Sequence, residues 1–401
     1  MGAPCGAPIL MRYHVSYRVL LVVGGHMAEY AQQGRADSHE FTRFHSDICK
    51  GLAVLMLLFH HLFNDYPEYE GHAVDYFPLT GDQVTSIALL CKLCVAVFVF
   101  ITGYGLASTF RARYEGQTPS DGELGRFAIT RWWNLMARFW PVFVLALVCG
   151  PLGRSPLDVY GPGIRATLAQ GLVDALGLAN LMGTPTLNPT WWYMTLAIVL
   201  IFLLSPVMLA VRRLGSAFVL ACVPLVLVFF GVCAPYDLYI TSYLLGVFCS
   251  DRQLFVWWGQ LGDGRRGAAA AKTLLAVALF CVLLPFRMSY NYLGLVDALL
   301  ALLLCMIVMT YLANVPVLST AAAFLGRHSA NIFFTHTLLY SYYFLDFFYS
   351  FRYPVVILLV LTVASLVLSI LLDTVEKRTG YARRMRDAGE RIARALTTPL
   401  D

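Results

Sequence analysis

Two ionisable residues in the apolar stretch DICKGLAVLMLLFHHLFND, residues 47–65, have the types and spacing of a reaction site. Lys50 and His61 are eleven residues apart, which in an α-helix is three turns plus about 20°, so they share one face and lie about 16 Å apart along the axis. His60 points about 100° away from His61 and cannot share its role. Because an imidazole can take a proton from a hydroxyl, this face predicts acid–base chemistry at His61, with the Lys50 cation about three turns away along the helix.

Asn64 and Asp65 are expected to lie beside the His61 ring, because they follow it at the i+3 and i+4 positions of the same helix. A neighbouring amide or carboxylate fixes the tautomer of an imidazole and raises its basicity. Two structural alternatives stay open: His61 as a core histidine bonded to a backbone carbonyl, and Lys50 with its ammonium extended to the inner headgroups. Ionisable residues at the centre of a membrane helix cost about 2.5–3.5 kcal/mol and usually mark function, which favours a site.

The chain that positions these residues has the composition of a membrane protein. Of its 401 residues, 59% are hydrophobic and 13% are charged, and the mean hydropathy is +0.67, whereas a soluble domain carries about a quarter charged residues. Many apolar runs are long enough to cross about 30 Å of hydrocarbon. The sequence therefore predicts an all-α polytopic membrane helix bundle of about ten transmembrane helices, with candidate spans at 48–64, 87–108, 133–150, 191–211, 216–233, 236–250, 272–287, 292–313, 331–349 and 353–373.

The distribution of charge predicts the orientation of this bundle. If both termini are cytoplasmic and segment 164–182 is re-entrant or interfacial, most of the 29 Lys and Arg residues lie on the cytoplasmic side, as the positive-inside tendency requires. The net charge of +5 is then explained without a nucleic-acid partner. We divide the chain into a cytoplasmic N-terminal extension (1–46), a transmembrane domain (47–374) and a basic cytoplasmic tail (375–401), and we expect a multi-pass protein of the cell (plasma) membrane.

The cysteines predict no metal or redox centre. Most of the ten lie inside or at the edges of apolar runs, where cysteine behaves as a small core residue. Cys91 and Cys94 have the CxxC spacing of a zinc or redox motif, but they fall in a predicted membrane helix without a second cluster.

The first two spans resemble signatures of the integral membrane acyltransferase 3 family. In that family an acidic residue precedes a Lys or Arg, and a His follows the basic residue after ten intervening positions; SDICKGLAVLMLLFHHL is similar. KLCVAVFVFITGYGLA resembles the second-span signature, a Phe-rich run that ends in Ser or Thr, Gly and an aromatic residue. A Pro often precedes that run, and Ala96 replaces it here. The matching residues are Asp47, Lys50, His61, Thr102, Gly103 and Tyr104.

Two later stretches extend the resemblance to about residues 44–373. NPTWWYMTLAIVLIFLLSP, from Asn188, is similar to the Trp-rich entry into a later family span that ends in Pro. GRHSANIFFTHTLLY resembles the family's late motif through Gly326, Ser329 and His336. Each motif alone is weakly specific, but the four occur in the family's order.

The resemblance implies transfer of an acyl group, commonly acetyl and sometimes succinyl, from cytoplasmic acyl-CoA. The implied acceptor is a hydroxyl of a cell-envelope carbohydrate or a related, lipid-linked molecule. No tightly bound cofactor is implied, since acyl-CoA, acetyl-CoA above all, is the donor substrate. The implied partners are thus acyl-CoA, the envelope acceptor and the lipid bilayer.

The expected site combines the residues of the first span with those of the matching motifs. His61 is the expected general base, or an acyl-carrying nucleophile, supported by Asn64 and Asp65. The residues expected to bind the donor are Lys50, Asp47, Thr102, Tyr104, Arg111, Arg113 and His336, and those expected to bind the acceptor are Trp191, Trp192 and Lys92.

Structural alternatives remain open for several of these residues. Thr102 and Tyr104 are equally compatible with helix packing. Trp191 and Trp192 have the composition of an interfacial aromatic belt, and Lys92 could extend to headgroups or pair with an acidic residue. For the whole protein, the alternative is a transporter or flippase of an envelope precursor, although the chain shows no clear inverted repeat or pair of broken helices. A membrane scaffold without catalytic activity is the third alternative, and it leaves the polar face of the first span without a purpose.

Overall fold

The computed structural model describes residues 39–64, 71–230, 236–289 and 294–397, and within these ranges the chain forms helices and no strand. This confirms the predicted all-α class. The α-helices are α1 (Arg43–Phe63), α2 (Gly81–Cys91), α3 (Cys94–Tyr114), α4 (Asp121–Cys149), α5 (Pro156–Tyr160), α6 (Ile164–Ala175), α7 (Ala179–Met182), α8 (Trp192–Leu214), α9 (Ser216–Phe230), α10 (Asp237–Asp251), α11 (Leu254–Gln260), α12 (Ala268–Ser289), α13 (Gly294–Thr310), α14 (Pro316–Arg327), α15 (Ser329–Thr337), α16 (Leu345–Tyr349), α17 (Pro354–Arg378) and α18 (Tyr381–Thr397).

Among the described residues, seven helical segments are long and apolar enough to cross a membrane, and each contains or overlaps a predicted span. They are Arg43–Phe63, Gly81–Tyr114, Asp121–Leu152, Pro189–Leu214, Ala268–Ser289, Gly294–Asn314 and Pro354–Arg378. The described residues of the three other predicted spans are also mainly helical. Helices α9 and α10 are 15 residues long, and the span at 331–349 divides into α15, a π-helical segment Leu338–Tyr343 and α16.

Helix α1 turns its Lys50–His61 face into the protein. It begins after Thr42, which forms a capping box with His45 and so supplies partners for orphan groups of the first turn. Between Lys50 and His61 the same face carries Ala53, Val54 and Leu57, and all three are buried. The middle of this face therefore packs inside the bundle.

Helices α1 and α14 touch at two glycines. A Cβ atom on Gly326 would lie 1.8 Å from the backbone oxygen of Asp47, and one on Gly51 would lie 2.0 Å from that of Ala322. No larger residue fits such main-chain contact, which explains the glycine in the late motif. The contact holds the start of α15 against the N-terminal half of α1.

Segment 164–182 forms two short helices, α6 and α7, and not one membrane-length helix. The 12 residues of α6 rise about 18 Å, less than the hydrocarbon thickness. Its Asp174 is buried and accepts hydrogen bonds from the Tyr160 hydroxyl (2.6 Å), the Thr186 hydroxyl (2.8 Å) and the Leu187 N–H (2.8 Å). Burial raises the pKa of this carboxyl, and the three donors oppose the shift. Asp174 thus ties α6 to the loop that leads into α8.

The basic tail contains helix α18, which docks on α4. The Trp133 indole donates to the Met385 carbonyl (2.7 Å), and the Tyr381 hydroxyl donates to the Ala137 carbonyl (3.0 Å). Gly389 lies so close to the Trp133 ring that a Cβ atom there would approach to 2.4 Å. The tail helix is therefore packed against the transmembrane bundle.

Candidate active site

His61 is enclosed by protein but keeps an accessible edge. The surrounding helices desolvate its ring, and its neighbours His60, Leu62 and Phe63 are buried, yet His61 itself is only half-buried. Within the described ranges its ring nitrogens have no hydrogen-bond partner. A side chain that is surrounded and still accessible borders an internal space, so a substrate hydroxyl in that space could reach the imidazole.

His60 has a different task, as the angular argument predicts. Its Nδ1 lies 2.8 Å from the backbone oxygen of Ala88, so Nδ1 carries the proton and donates. Ala88 is in the last turn of α2, where helical carbonyls lack intrahelical partners. His60 therefore caps α2 from the side, and only His61 faces the interior space.

The imidazole of His336 lies against that of His61, with ring centroids 5.1 Å apart and planes tilted by 45°. His336 is buried, and its Nδ1 lies 2.8 Å from the Phe333 oxygen and 3.1 Å from the Ile332 oxygen. Because both neighbours accept, we assign the proton to Nδ1, which leaves Nε2 as an acceptor. Nε2 takes a hydrogen bond from the Thr337 hydroxyl at 3.2 Å.

A chain of hydroxyls continues from His336 to the Trp-rich motif. The Thr337 hydroxyl lies 3.3 Å from that of Thr190, which donates to Asn188 Oδ1 at 2.8 Å. Asn188 is buried, and its Nδ2 has no partner in the described part of the molecule. The motifs around His61, Asn188 and His336 thus meet at one place. Sequence reasoning missed Thr190 and Thr337, although each adjoins or lies within a recognised motif.

Lys50 forms an ion pair with Asp47 on the predicted cytoplasmic part of α1. The Nζ–Oδ1 distance is 3.2 Å, and the two side chains are 31% and 4% exposed. Asp47 thus holds the ammonium while part of Lys50 stays accessible. In this conformation, the buried apolar residues of the shared face separate Lys50 from His61.

Thr102 and Tyr104 project to different sides of α3. The Thr102 side chain interacts with the Tyr193 hydroxyl, whereas the Tyr104 ring packs edge-on against Phe41 and Phe255, with centroids 5.3 Å away in each case. The structure therefore does not bring these two motif residues to one surface. Only Thr102 points toward the region of the two histidines.

Tyr193 lies near His336, with the ring of Phe333 between them. It is enclosed by desolvating protein and yet half-buried by accessible area. Its ring lies 5.1 Å from that of Phe333, which in turn lies 6.1 Å from His336. Tyr193 lies within the Trp-rich motif, but a single residue of an apolar helix carries no sequence signal that distinguishes a residue that lines a site from one that packs in the core.

The two arginines predicted to bind the donor differ in their surroundings. Arg111 lines a cavity of about 620 Å³ at the predicted cytoplasmic end of α3, together with Arg212 of α8. Arg113 is exposed, and its guanidinium carbon lies 5.6 Å from the centroid of the Tyr114 ring. Of the two, Arg111 is therefore the one built into a concave surface.

Trp191 and Trp192 also differ in their surroundings. Trp191 is buried, donates from its indole N–H to the Phe334 carbonyl (3.1 Å), and packs edge-on against Phe139 at 4.8 Å. Trp192 is half-buried and stacks on Tyr239 at 5.7 Å. Trp191 thus supports α15, which carries His336, while part of Trp192 remains accessible.

Lys92 lies close enough to His60 and His61 to act on both electrostatically. Beside it, Arg287 and Asp297 form a buried ion pair across the facing ends of α12 and α13, with an Nε–Oδ1 distance of 2.5 Å. Asp297 also interacts with Lys92. Sequence reasoning missed this pair. The sequence signal for it is a positive and a negative residue near the facing ends of two consecutive apolar runs.

Of the two expected supports of His61, Asn64 is the C-cap of α1, where its backbone N–H bonds to the His60 carbonyl, and Asp65 lies outside the described residues. In the described ranges, no group of three His, Cys, Asp or Glu side chains could hold a metal ion.

The comparison with known proteins identifies the family. Neither the curated proteins nor the solved structures compared with this chain include a match. The model of the acyltransferase 3 family, described as an acyltransferase domain, matches residues 43–374. That match covers the helices from α1 to α17, except the last four residues of α17, and with them the motifs around His61 and His336. The chain is a membrane acyltransferase and belongs to the acyltransferase 3 family.

Proposed function

We propose that this protein transfers an acyl group, acetyl in the simplest case, from acyl-CoA to a hydroxyl of a cell-envelope carbohydrate or lipid-linked acceptor, with His61 as the general base. The observation that carries the proposal is the accessible His61 ring, enclosed by protein and placed against His336. A base must be within reach of the proton that it removes. An imidazole at the border of an interior space meets that requirement, whereas His60 is committed to Ala88.

The reaction follows from the position of His61. A nitrogen of the neutral imidazole accepts the proton of the acceptor hydroxyl as its oxygen attacks the carbonyl carbon of the thioester. The carbon–sulfur bond then breaks, and the proton on His61 passes to the departing sulfur. The products are the acylated acceptor and the free thiol of CoA, and His61 returns to its neutral form.

His336 serves as a positioning residue in this scheme. Its Nδ1 donates to backbone oxygens and its Nε2 accepts from Thr337, so both nitrogens already have partners. The fixed ring limits the rotation of the His61 imidazole beside it. Groups held in place by such supporting contacts keep a catalytic base in its productive orientation.

The donor side and the acceptor side follow from the predicted orientation. Lys50 and Arg111 lie toward the predicted cytoplasmic side and suit the phosphates of acyl-CoA. Lys92 and Trp192 lie toward the other side, where an envelope acceptor would enter. The protein would then act in the plasma membrane.

The test uses purified protein in proteoliposomes with labelled acetyl-CoA and a glycan fraction extracted from the cell envelope. We expect covalent labelling of the acceptor by wild type, its loss in His61→Gln, and its retention in His60→Gln, whose amide can still donate to the Ala88 oxygen. Thermal unfolding in detergent verifies that both variants are folded. Equal loss of labelling in folded variants would overturn the role of His61. In a parallel experiment with a labelled glycan fraction, movement of the glycan across the bilayer without acylation would overturn the proposed enzyme activity in favour of transport.

A further inference from the structure

We infer that the cavity lined by Arg111 and Arg212 binds the phosphorylated nucleotide end of the acyl donor; the inference rests on the proposed use of acyl-CoA. The cavity of about 620 Å³ lies where α3, α8 and the α10–α11 junction meet. Ligand pockets have volumes of about 300–1,000 Å³, so a nucleotide fits this space.

Arg111 is held in a fixed orientation at this cavity. One terminal nitrogen donates to the Ser250 carbonyl, and the Gln253 amide, with its oxygen toward Arg111, accepts from both terminal nitrogens at 2.8 and 3.1 Å. Gln253 has a φ of 53°, an uncommon backbone conformation for a residue other than glycine. Such conformations cluster at ligand-binding sites. The guanidinium is therefore oriented before any ligand arrives, which lowers the cost of binding.

Arg212 is fixed in a similar way from a different helix. Its two terminal nitrogens donate to the Gln117 carbonyl (2.8 Å) and the Tyr114 carbonyl (3.2 Å). Its guanidinium carbon lies 5.7 Å from the centroid of the Phe110 ring. Two guanidinium groups on separate helices at one cavity form a recognition surface for phosphate esters.

The remaining lining suits the neutral part of a nucleotide. Ser108, Gln117 and Thr118 supply hydroxyl and amide groups, which can hydrogen-bond to a ribose or a base. Glu115 also lines the cavity, so the side chains carry two positive charges and one negative charge. The surface is thus selective for an anion with polar neutral groups over a simple anion.

Helix α3 connects this cavity with the reaction site. Thr102, whose side chain interacts with Tyr193, is nine residues before Arg111, a rise of about 14 Å and two and a half turns, so the two side chains lie on opposite sides of α3. An extended acyl-bearing arm that leaves the nucleotide must therefore pass around α3 to approach His61. A phosphate in the headgroup of an anionic lipid has similar chemistry, but it lacks the base and ribose that the neutral lining suits.

Binding of desulfo-CoA, an unreactive donor analogue, tests the inference by isothermal titration of the full chain in detergent. Ala112 lines the cavity and is exposed, so Ala112→Glu adds a negative charge without touching the bonds of either arginine. We expect Ala112→Glu to weaken binding by about tenfold or more, while Ala112→Gln, its neutral counterpart of the same size, stays close to wild type. Arg212→Gln is expected to weaken binding similarly, and the adjacent, exposed Arg213→Gln is its control.

The outcomes distinguish a failure of this inference from a failure of the proposed function. Competition by adenosine 3′,5′-bisphosphate, with none from phosphatidylglycerol in mixed micelles, would support a nucleotide site. Competition only by the lipid would overturn it. Wild-type affinity in both Ala112→Glu and Arg212→Gln would place the donor nucleotide elsewhere and leave the proposed function intact. A wild-type protein that does not bind desulfo-CoA would instead remove the proposed donor itself.

Discussion

The imidazoles of His61 and His336 lie with their centroids 5.1 Å apart, one on α1 and the other on α15. His336 has partners for both of its nitrogens, whereas the His61 ring has none among the described residues. This asymmetry divides the roles of the pair. His336, whose nitrogens both have partners, holds the His61 ring in position. His61, whose ring has no partner among the described residues, remains available to take a proton.

The Thr337 hydroxyl is expected to affect both stability and catalysis. Thr337→Val keeps the shape of the side chain but leaves the buried Nε2 of His336 without its donor, a loss of about 1–3 kcal/mol. We expect kcat to fall about tenfold, with the KM for acetyl-CoA unchanged. The control is Thr335→Val, because the Thr335 hydroxyl bonds to the Asn331 carbonyl of its own helix. Equal kcat values in the two variants would contradict the positioning role.

His60 is expected to contribute to stability through Ala88. His60→Ala leaves a carbonyl of the last turn of α2 without its donor, which we expect to cost about 1–3 kcal/mol. Thermal unfolding in detergent should show a lower midpoint for His60→Ala than for His60→Gln. The activity per folded molecule should be retained in both. A midpoint that is the same in both would mean that the bond to Ala88 contributes nothing.

Gly326 is expected to tolerate no side chain. The added Cβ of Gly326→Ala would lie 1.8 Å from a backbone oxygen, and overpacking typically costs about 1–3 kcal/mol or more. We expect a clear loss of folded protein by size-exclusion chromatography in detergent. Gly105→Ala is the matched control, since a Cβ atom at this helical glycine meets nothing within 4 Å. Normal yield of Gly326→Ala would refute the main-chain contact.

The Asp174 carboxyl predicts a pH dependence of stability. Burial raises its pKa in the folded state, so above the unfolded value of about 3.9 the folded protein binds more protons than the unfolded chain. The stabilisation from this group is therefore complete below the unfolded pKa and is lost as the pH rises through the folded pKa. Unfolding midpoints measured upward from about pH 4 should show this decline in wild type and not in Asp174→Asn. The same slope in both proteins would contradict the assignment.

Much of the fold could be predicted from hydropathy, because lipid demands long apolar helices whatever their partners. The break in the span at 331–349 could not be predicted from hydropathy. The residues of α15 are almost all buried in protein, and a helix that packs on all sides has the same apolar composition as one that crosses lipid. Its division into α15, a π-helical segment and α16 depends on tertiary contacts that leave no periodic signal.

The candidate site was predictable where one helix carries the information. The helical period of α1 separates His60 from His61, and in the structure His60 contacts Ala88 whereas His61 contacts His336. The meeting of His61 with His336 depends on how two distant segments pack, which spacing within either segment does not contain. The tautomer of His336 and the unpartnered Nδ2 of Asn188 are likewise properties of the assembled network.

The glycine contact between α1 and α14 limits how the protein can move. Main chains that touch at Gly51 and Gly326 cannot slide or rock past each other without clashing or opening a gap in the interior. During turnover the two helices must travel as one rigid body, and any gate that admits donor or acceptor must open between other elements.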